Sequence, residues 1–97
     1  MLADFSVAPM DKGGKKLGKY IARVIETVSK SGLEYQLHSM GTIVEGEREE
    51  VFKLIKRCHM HMLKYSGRVY TVIKIDDRKG AKGRLKGKIR SVEKFFK

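Results

Sequence analysis

The chain predicts an α+β domain, one sheet packed against two helices with an additional C-terminal helix, on the strength of three observations. Apolar residues recur at every second position near the start and again at residues 69–76. They recur every three to four positions in two stretches between, and a short pair of alternating segments separates those stretches. Ninety-seven residues suit one core, because domains typically run to about 100–150 residues. Residues 1–97 are therefore read as a single domain, with a core over 1–78 and a basic extension over 79–97.

Each element has its own warrant. In residues 2–9, Ala3, Phe5 and Val7 alternate with Asp4, Ser6 and Ala8, the period of a half-buried strand. After a loop over 10–14, Leu17, Tyr20, Ile21, Val24, Ile25 and Val28 form a helical stripe that Gly32 is placed to end in a left-handed conformation. Tyr35 and Leu37 alternate with Gln36 and His38, and residues 42–45 follow the turn suggested by Met40 and Gly41, so the two strands should form a hairpin.

Residues 47–65 read as a second helix. Glu47, Glu49 and Glu50 suit its positive N-terminal end, and Val51, Leu54, Ile55, Cys58 and Met62 make its apolar stripe. Ser66 and Gly67 should stop it. In residues 69–76, Val69, Thr71, Ile73 and Ile75 take one face and Tyr70, Val72, Lys74 and Asp76 the other. Strand, helix, strand, strand, helix, strand is the order of a ferredoxin-like βαββαβ sandwich, with right-handed crossovers and an expected parallel pairing of the inner strands.

Both helices would cover one sheet face. The other face should carry Asp4, Ser6, Gln36, Thr42, Val44, Tyr70, Val72, Lys74 and Asp76, a mixed surface that calls for a ligand, a second sheet, or both. Leu85, Ile89, Val92 and Phe96 share a stripe in the extension, so a third helix is expected there, packed on a neighbouring subunit or on its own sheet edge. A domain this small gains usefully from subunit burial, which makes a dimer or tetramer the expectation. Tyr70, Val72, Ile89 and Phe96 are its candidate interface residues.

Composition narrows the function classes. No run approaches the roughly 20 apolar residues of a membrane span, and the first residues do not read as a secretory signal, so a cytoplasmic protein without a membrane partner is expected. Cys58 is the single cysteine, which rules out an internal disulfide and a paired-thiol redox motif. The net charge of +11 invites an anionic partner, yet ten of the 22 lysines and arginines fall in the last 24 positions. The basic tail lacks interleaved aromatics and the open face lacks paired aromatics for stacking bases, so nucleic acid is not the expected partner. Phosphate or sulfate binding by the tail, or simple solubility, remain open.

Three suggestive patterns fail as motifs. Gly13 to Lys19 superficially follows the spacing of a phosphate-binding loop, but Tyr20 stands where a hydroxyl must ligate magnesium, and Gly18 and Lys19 fall within a helical period. His59 and His61 lie about 200° apart on a helix and cannot share an ion, so no metal centre is expected. Cys58 sits mid-stripe as a core residue, and no histidine is spaced for a catalytic relay. The chain is accordingly read as a binding protein, neither an enzyme nor a cofactor carrier.

Two stretches go beyond pattern: Ser31-Gly32-Leu33-Glu34-Tyr35-Gln36-Leu37-His38-Ser39-Met40-Gly41-Thr42-Ile43-Val44-Glu45-Gly46 and Thr71-Val72-Ile73-Lys74-Ile75-Asp76-Asp77-Arg78. With residues 3–9 and Glu49-Glu50-Val51, they resemble the small thiamine-binding protein family. The resemblance implies a ferredoxin-like fold, dimers or tetramers, and non-catalytic binding of thiamine or its hydroxymethylpyrimidine portion. Its candidate ligand contacts are Ser6, Met40, Gly41, Thr42, Glu45, Lys74 and Asp76. For several of these a scaffold role is the alternative: turn glycine for Gly41, subunit salt bridge for Glu45, and a salt bridge to Lys74 or Arg78 for Asp76. The loop over 10–16 and the basic tail depart from the family pattern. A basic interaction protein that binds RNA or another polyanion is the alternative from a different class.

Overall fold

Strand β1 (Leu2–Pro9) runs through the middle of a four-stranded sheet with strand order β2-β3-β1-β4, formed with β2 (Glu34–His38), β3 (Gly41–Glu45) and β4 (Val69–Asp76). The computed structural model describes residues 1–11 and 17–96. Gly13 and the departing part of the first loop, residues 12–16, lie outside the described residues. Helices α1 (Leu17–Ser29) and α2 (Arg48–Met62) pack on one face, and α3 (Arg84–Phe96) follows β4. This is the ferredoxin-like arrangement that the order of periodicities predicts.

Every neighbouring pair in the sheet is antiparallel, which corrects the expected pairing of parallel inner strands. The reason is topological. β1 and β2 run the same way, as do β3 and β4, but β3 lies between the first two and β1 between the second two, so each helical crossover spans an intervening strand.

The core follows from alternation. Ala3, Phe5 and Val7 meet Val24 and Val28 of α1 and the whole predicted stripe of α2, with Val51, Leu54, Ile55, Cys58 and Met62 all buried. Helix α2 ends at Met62, three residues before the expected stop, because Lys64 and Tyr65 donate their N–H groups into a tighter terminal turn that closes on Ser66. Gly32 adopts φ +81° after α1, the left-handed conformation a residue without Cβ takes at least cost.

The hairpin register differs from expectation. Phe5 pairs with Thr42 and Ala3 with Val44, so Thr42 and Val44 point into the helix-covered core, 4% and 0% exposed. Ile43 and Glu45 take the open face instead. The two-residue turn at Ser39 and Met40 pairs His38 with Gly41 and sets this register. Gly41 is required there, since a Cβ would sit 2.8 Å from the Phe5 carbonyl oxygen.

The register makes a sharp prediction. Val44→Asp buries an unpaired carboxylate, which costs about 3–5 kcal/mol and should lower Tm by about 15 °C or more. Ile43→Asp should cost clearly less, because position 43 lies on the open face. Melting curves with the opposite ranking would show the register shifted by one residue.

Candidate functional site

The open face is built from alternate residues of all four strands. Across it, Asp4 of β1 stands opposite Lys74 of β4 and Ile43 of β3, and Ser6 stands opposite Val72. Tyr70 pairs with Ala8, and Gln36 with Ile43. Two features organise this surface, a histidine–carboxylate pair on one side and the docked start of α3 on the other.

His38 Nε2 lies 2.8 Å from Asp4 Oδ1. The Met40 backbone N–H donates to His38 Nδ1 at 3.2 Å, so Nδ1 is the acceptor and the Nε2–H of the neutral ring donates to Asp4. Both side chains are about one-third exposed, which leaves the second carboxylate oxygen of Asp4 open to a ligand. The Lys74 ammonium has no hydrogen-bond or ion-pair partner among the described residues.

Two carboxylates hold α3. Glu45 Oε2 accepts the backbone N–H of Arg84 at 2.9 Å and Oε1 that of Leu85 at 3.1 Å, capping the helix from the end of β3. Such a cap satisfies N–H groups that a first turn leaves without partners and faces the positive end of the helix dipole. Asp76, at the end of β4, takes both guanidinium nitrogens of Arg84 at 3.1 and 2.6 Å and Lys88 Nζ at 2.7 Å. The hydrogen bonds from Arg84, then from Lys88, hold the Asp76 carboxyl well below the usual carboxylate range.

The docked turn buries Leu85 and roofs part of the open face. Beneath it lies a cavity of about 400 Å³ whose walls include Leu2, Ile43, Leu85 and Ile89, with Asp4 and Lys74 among its polar groups. Helix α3 thus packs on its own sheet through its first turns. The remainder of its stripe, Ile89, Val92 and Phe96, is exposed at 47%, 61% and 68%.

Of the residues selected from sequence, Lys74 and Asp76 line this cavity and Ser6 shares the open face. Glu45 touches α3 instead. Asp76 forms a salt bridge, though to Arg84 and Lys88 rather than to Lys74 or Arg78. Thr42 faces the core, Gly41 lies under the turn, and Met40 projects into solvent. Sequence selection missed Asp4, His38, Ile43 and Arg84. Asp4 carried a usable signal, being the single charge in an otherwise uncharged strand.

The two histidines of α2 part as their spacing requires: His59 Nδ1 meets Thr71 Oγ1 of β4 at 2.6 Å, and the His61 ring packs on Tyr65. Burial pushes the Cys58 thiol up to about 11. No helix among the described residues is long and apolar enough to cross a membrane.

The profile of the thiamine-binding protein family matches residues 3–93. The chain belongs to this family. It is 36% identical over 93 residues to a UPF0045 protein of Methanothermobacter thermautotrophicus, covering 94% of each chain. A second UPF0045 protein, from Methanocaldococcus jannaschii, is 32% identical over 92 residues, covering 95% of this chain and 91% of that one. The crystal structure of the M. jannaschii protein superposes with a TM-score of 0.86 over 95% of this chain and 94% of its own. A Thermotoga maritima structure whose name connects it with thiamine biosynthesis or salvage is 26% identical, with a TM-score of 0.79 over 92% and 96% of the two chains.

Two predictions arise from this geometry. Because the folded pKa of Asp76 is depressed, its hold on α3 is fully present above the ordinary carboxylate range, near pH 4, and is lost as pH falls below it. Protection factors in α3, taken relative to the intrinsic exchange rate at each pH, should therefore fall in acid before those of the sheet, and Asp76→Asn should show low protection in α3 already at neutral pH. Equal protection of α3 in variant and wild type would show that the clamp does not hold the helix. For Cys58, alkylation at pH 8 should proceed only as the chain opens, far slower than in urea, where the thiol regains its ordinary reactivity.

Proposed function

We propose that this chain is a non-catalytic, cytoplasmic binding protein for thiamine or its hydroxymethylpyrimidine portion, and that it works as a homo-oligomer. Family membership supports the ligand class, and the roofed cavity is the observation that carries the reading. Its volume of about 400 Å³ falls in the usual range for small-molecule sites, about 300–1,000 Å³. Apolar walls suit a flat heteroaromatic ring, and an aminopyrimidine needs both an acceptor and a donor at its edge. Asp4, oriented by His38, would accept from the exocyclic amine, and Lys74 and Ser6 would supply donors.

Asp76 and Glu45 are proposed as scaffold rather than contacts, since their carboxylate oxygens already serve α3. Thr42 and Gly41 support the site through the hairpin register. The absence of turnover is part of the proposal, supported by the family description and by a cysteine nucleophile disabled through burial.

A second copy is proposed to cover the remainder of the open face. Tyr70 and Val72 are 57% and 47% exposed, and the distal half of α3 presents Phe96 at 68% and Phe95 at 92%. Apolar surface of this kind is costly to leave in water.

Thiamine or hydroxymethylpyrimidine at 100 times its dissociation constant should add about 2.7 kcal/mol of stability, read as a rise in Tm of about 10 °C or more. Asp4→Ala should abolish that shift. Sedimentation at micromolar concentration should give a dimer or tetramer that Val72→Asp dissociates. No shift with either compound would overturn the ligand assignment, and a monomer would overturn the assembly.

A further inference from the structure

A second cavity of about 460 Å³ adjoins the first, and Arg84 and Lys88 line both. Its chemistry is opposite. The walls are the β4–α3 loop and the flank of α3, and they bring Arg78, Lys79 and Lys82 together with Arg84 and Lys88. Asp76 already engages Arg84 and Lys88. The side chains of Arg78, Lys79 and Lys82 have no ion-pair or hydrogen-bond partner among the described residues.

The backbone of this cavity is bare. Gly80 and Gly83 adopt φ +78° and +66°, and a Cβ built on Gly80, Gly83 or Gly87 would meet nothing within 4 Å. These glycines are therefore not packing requirements. Gly87 lies inside α3, where glycine costs about 1 kcal/mol relative to alanine, and its lack of a side chain keeps the cavity open. The Arg84 and Leu85 N–H groups are taken by Glu45, so the anion-attracting power comes from the side chains and not from the helix terminus.

We infer that the site takes a phosphorylated ligand, the ring in the apolar cavity and a phosphate or diphosphate group in the basic one. The inference rests on the proposed pyrimidine site and names the form of ligand that site prefers. Thiamine itself carries a fixed cationic thiazolium ring, which this group of five cations would repel at close range. A diphosphate ester reverses the sign of that interaction, and its oxygens accept charge-assisted hydrogen bonds from arginine and lysine.

Calorimetric titration of the full chain with thiamine, thiamine diphosphate and inorganic diphosphate tests it, alongside Arg78→Ala/Lys79→Ala/Lys82→Ala, which spares Arg84 and Lys88. The ester should bind about tenfold or more tightly than thiamine, the worth of one charge-assisted hydrogen bond. The triple variant should lose that preference, bind thiamine at least as tightly as the wild type, since like charge is removed, and keep its melting curve. Equal affinities, or a preference that survives in the triple variant, would overturn the inference while leaving the pyrimidine site intact. Failure of every thiamine compound, with inorganic diphosphate still bound through the three residues, would remove the ring site and retain the anion site. No binding of any probe overturns both. A single-stranded oligonucleotide that binds while diphosphate does not would make the loop a polyanion surface and overturn the inference.

Discussion

The register of β1 governs the rest of the structure. It joins the β2–β3 hairpin to the last strand, pairing with β3 through residues 2–5 and with β4 through residues 2–9. Strand side chains alternate strictly, so a slip of one residue would exchange the core set Ala3, Phe5 and Val7 for Asp4 and Ser6. The burial of those three residues therefore fixes which side chains remain for a ligand. Asp4, Lys74 and Ile43 share one row because Ala3, Ile75 and Val44 share the next.

The second constraint is the pair of carboxylates at the ends of β3 and β4. They reach α3 from different distances along the chain: Glu45 caps a helix that begins 39 residues later, whereas Asp76 lies eight residues before Arg84. Their joint effect is asymmetric docking. The first turn is held by backbone and side-chain contacts and buries Leu85, whereas the end of the helix leaves Phe95 and Phe96 uncovered. One element thus supplies a cavity wall at its start and an apolar projection at its end.

Legibility in the sequence follows the strength of local alternation. All five residues of the α2 stripe are buried as expected, because a long amphipathic helix repeats its signal over four turns. The bounds of β1 and β4 were equally plain. The register of β3 was not, since Thr42, Ile43 and Val44 are consecutive β-formers without alternation, and close contact between Gly41 and the Phe5 carbonyl decides among them. Asp76 and Glu45 look like ligand carboxylates for a related reason: their partners lie in an extension whose docking no local pattern encodes. Asp4 was visible as a lone charge on the open face, but its pairing with His38 spans 34 residues and had to be seen in three dimensions.

Because Leu85 and Ile89 form part of the cavity wall, a ligand held there would link its binding thermodynamically to helix docking. A ligand that contacts both sheet and helix has lower affinity when α3 is detached, so it must favour the docked state by the same factor by which docking favours the ligand. The Asp76 clamp sets the starting point of that equilibrium. Arg84 and Lys88 belong at once to the clamp and to the basic cavity, so an anion there competes with Asp76 for their N–H groups or shares them with it. Guanidinium carries five donors and ammonium three, while Asp76 uses two of the first and one of the second. Sharing is therefore the arrangement that would keep the helix docked were an anion held there, and it would need no displacement of the clamp.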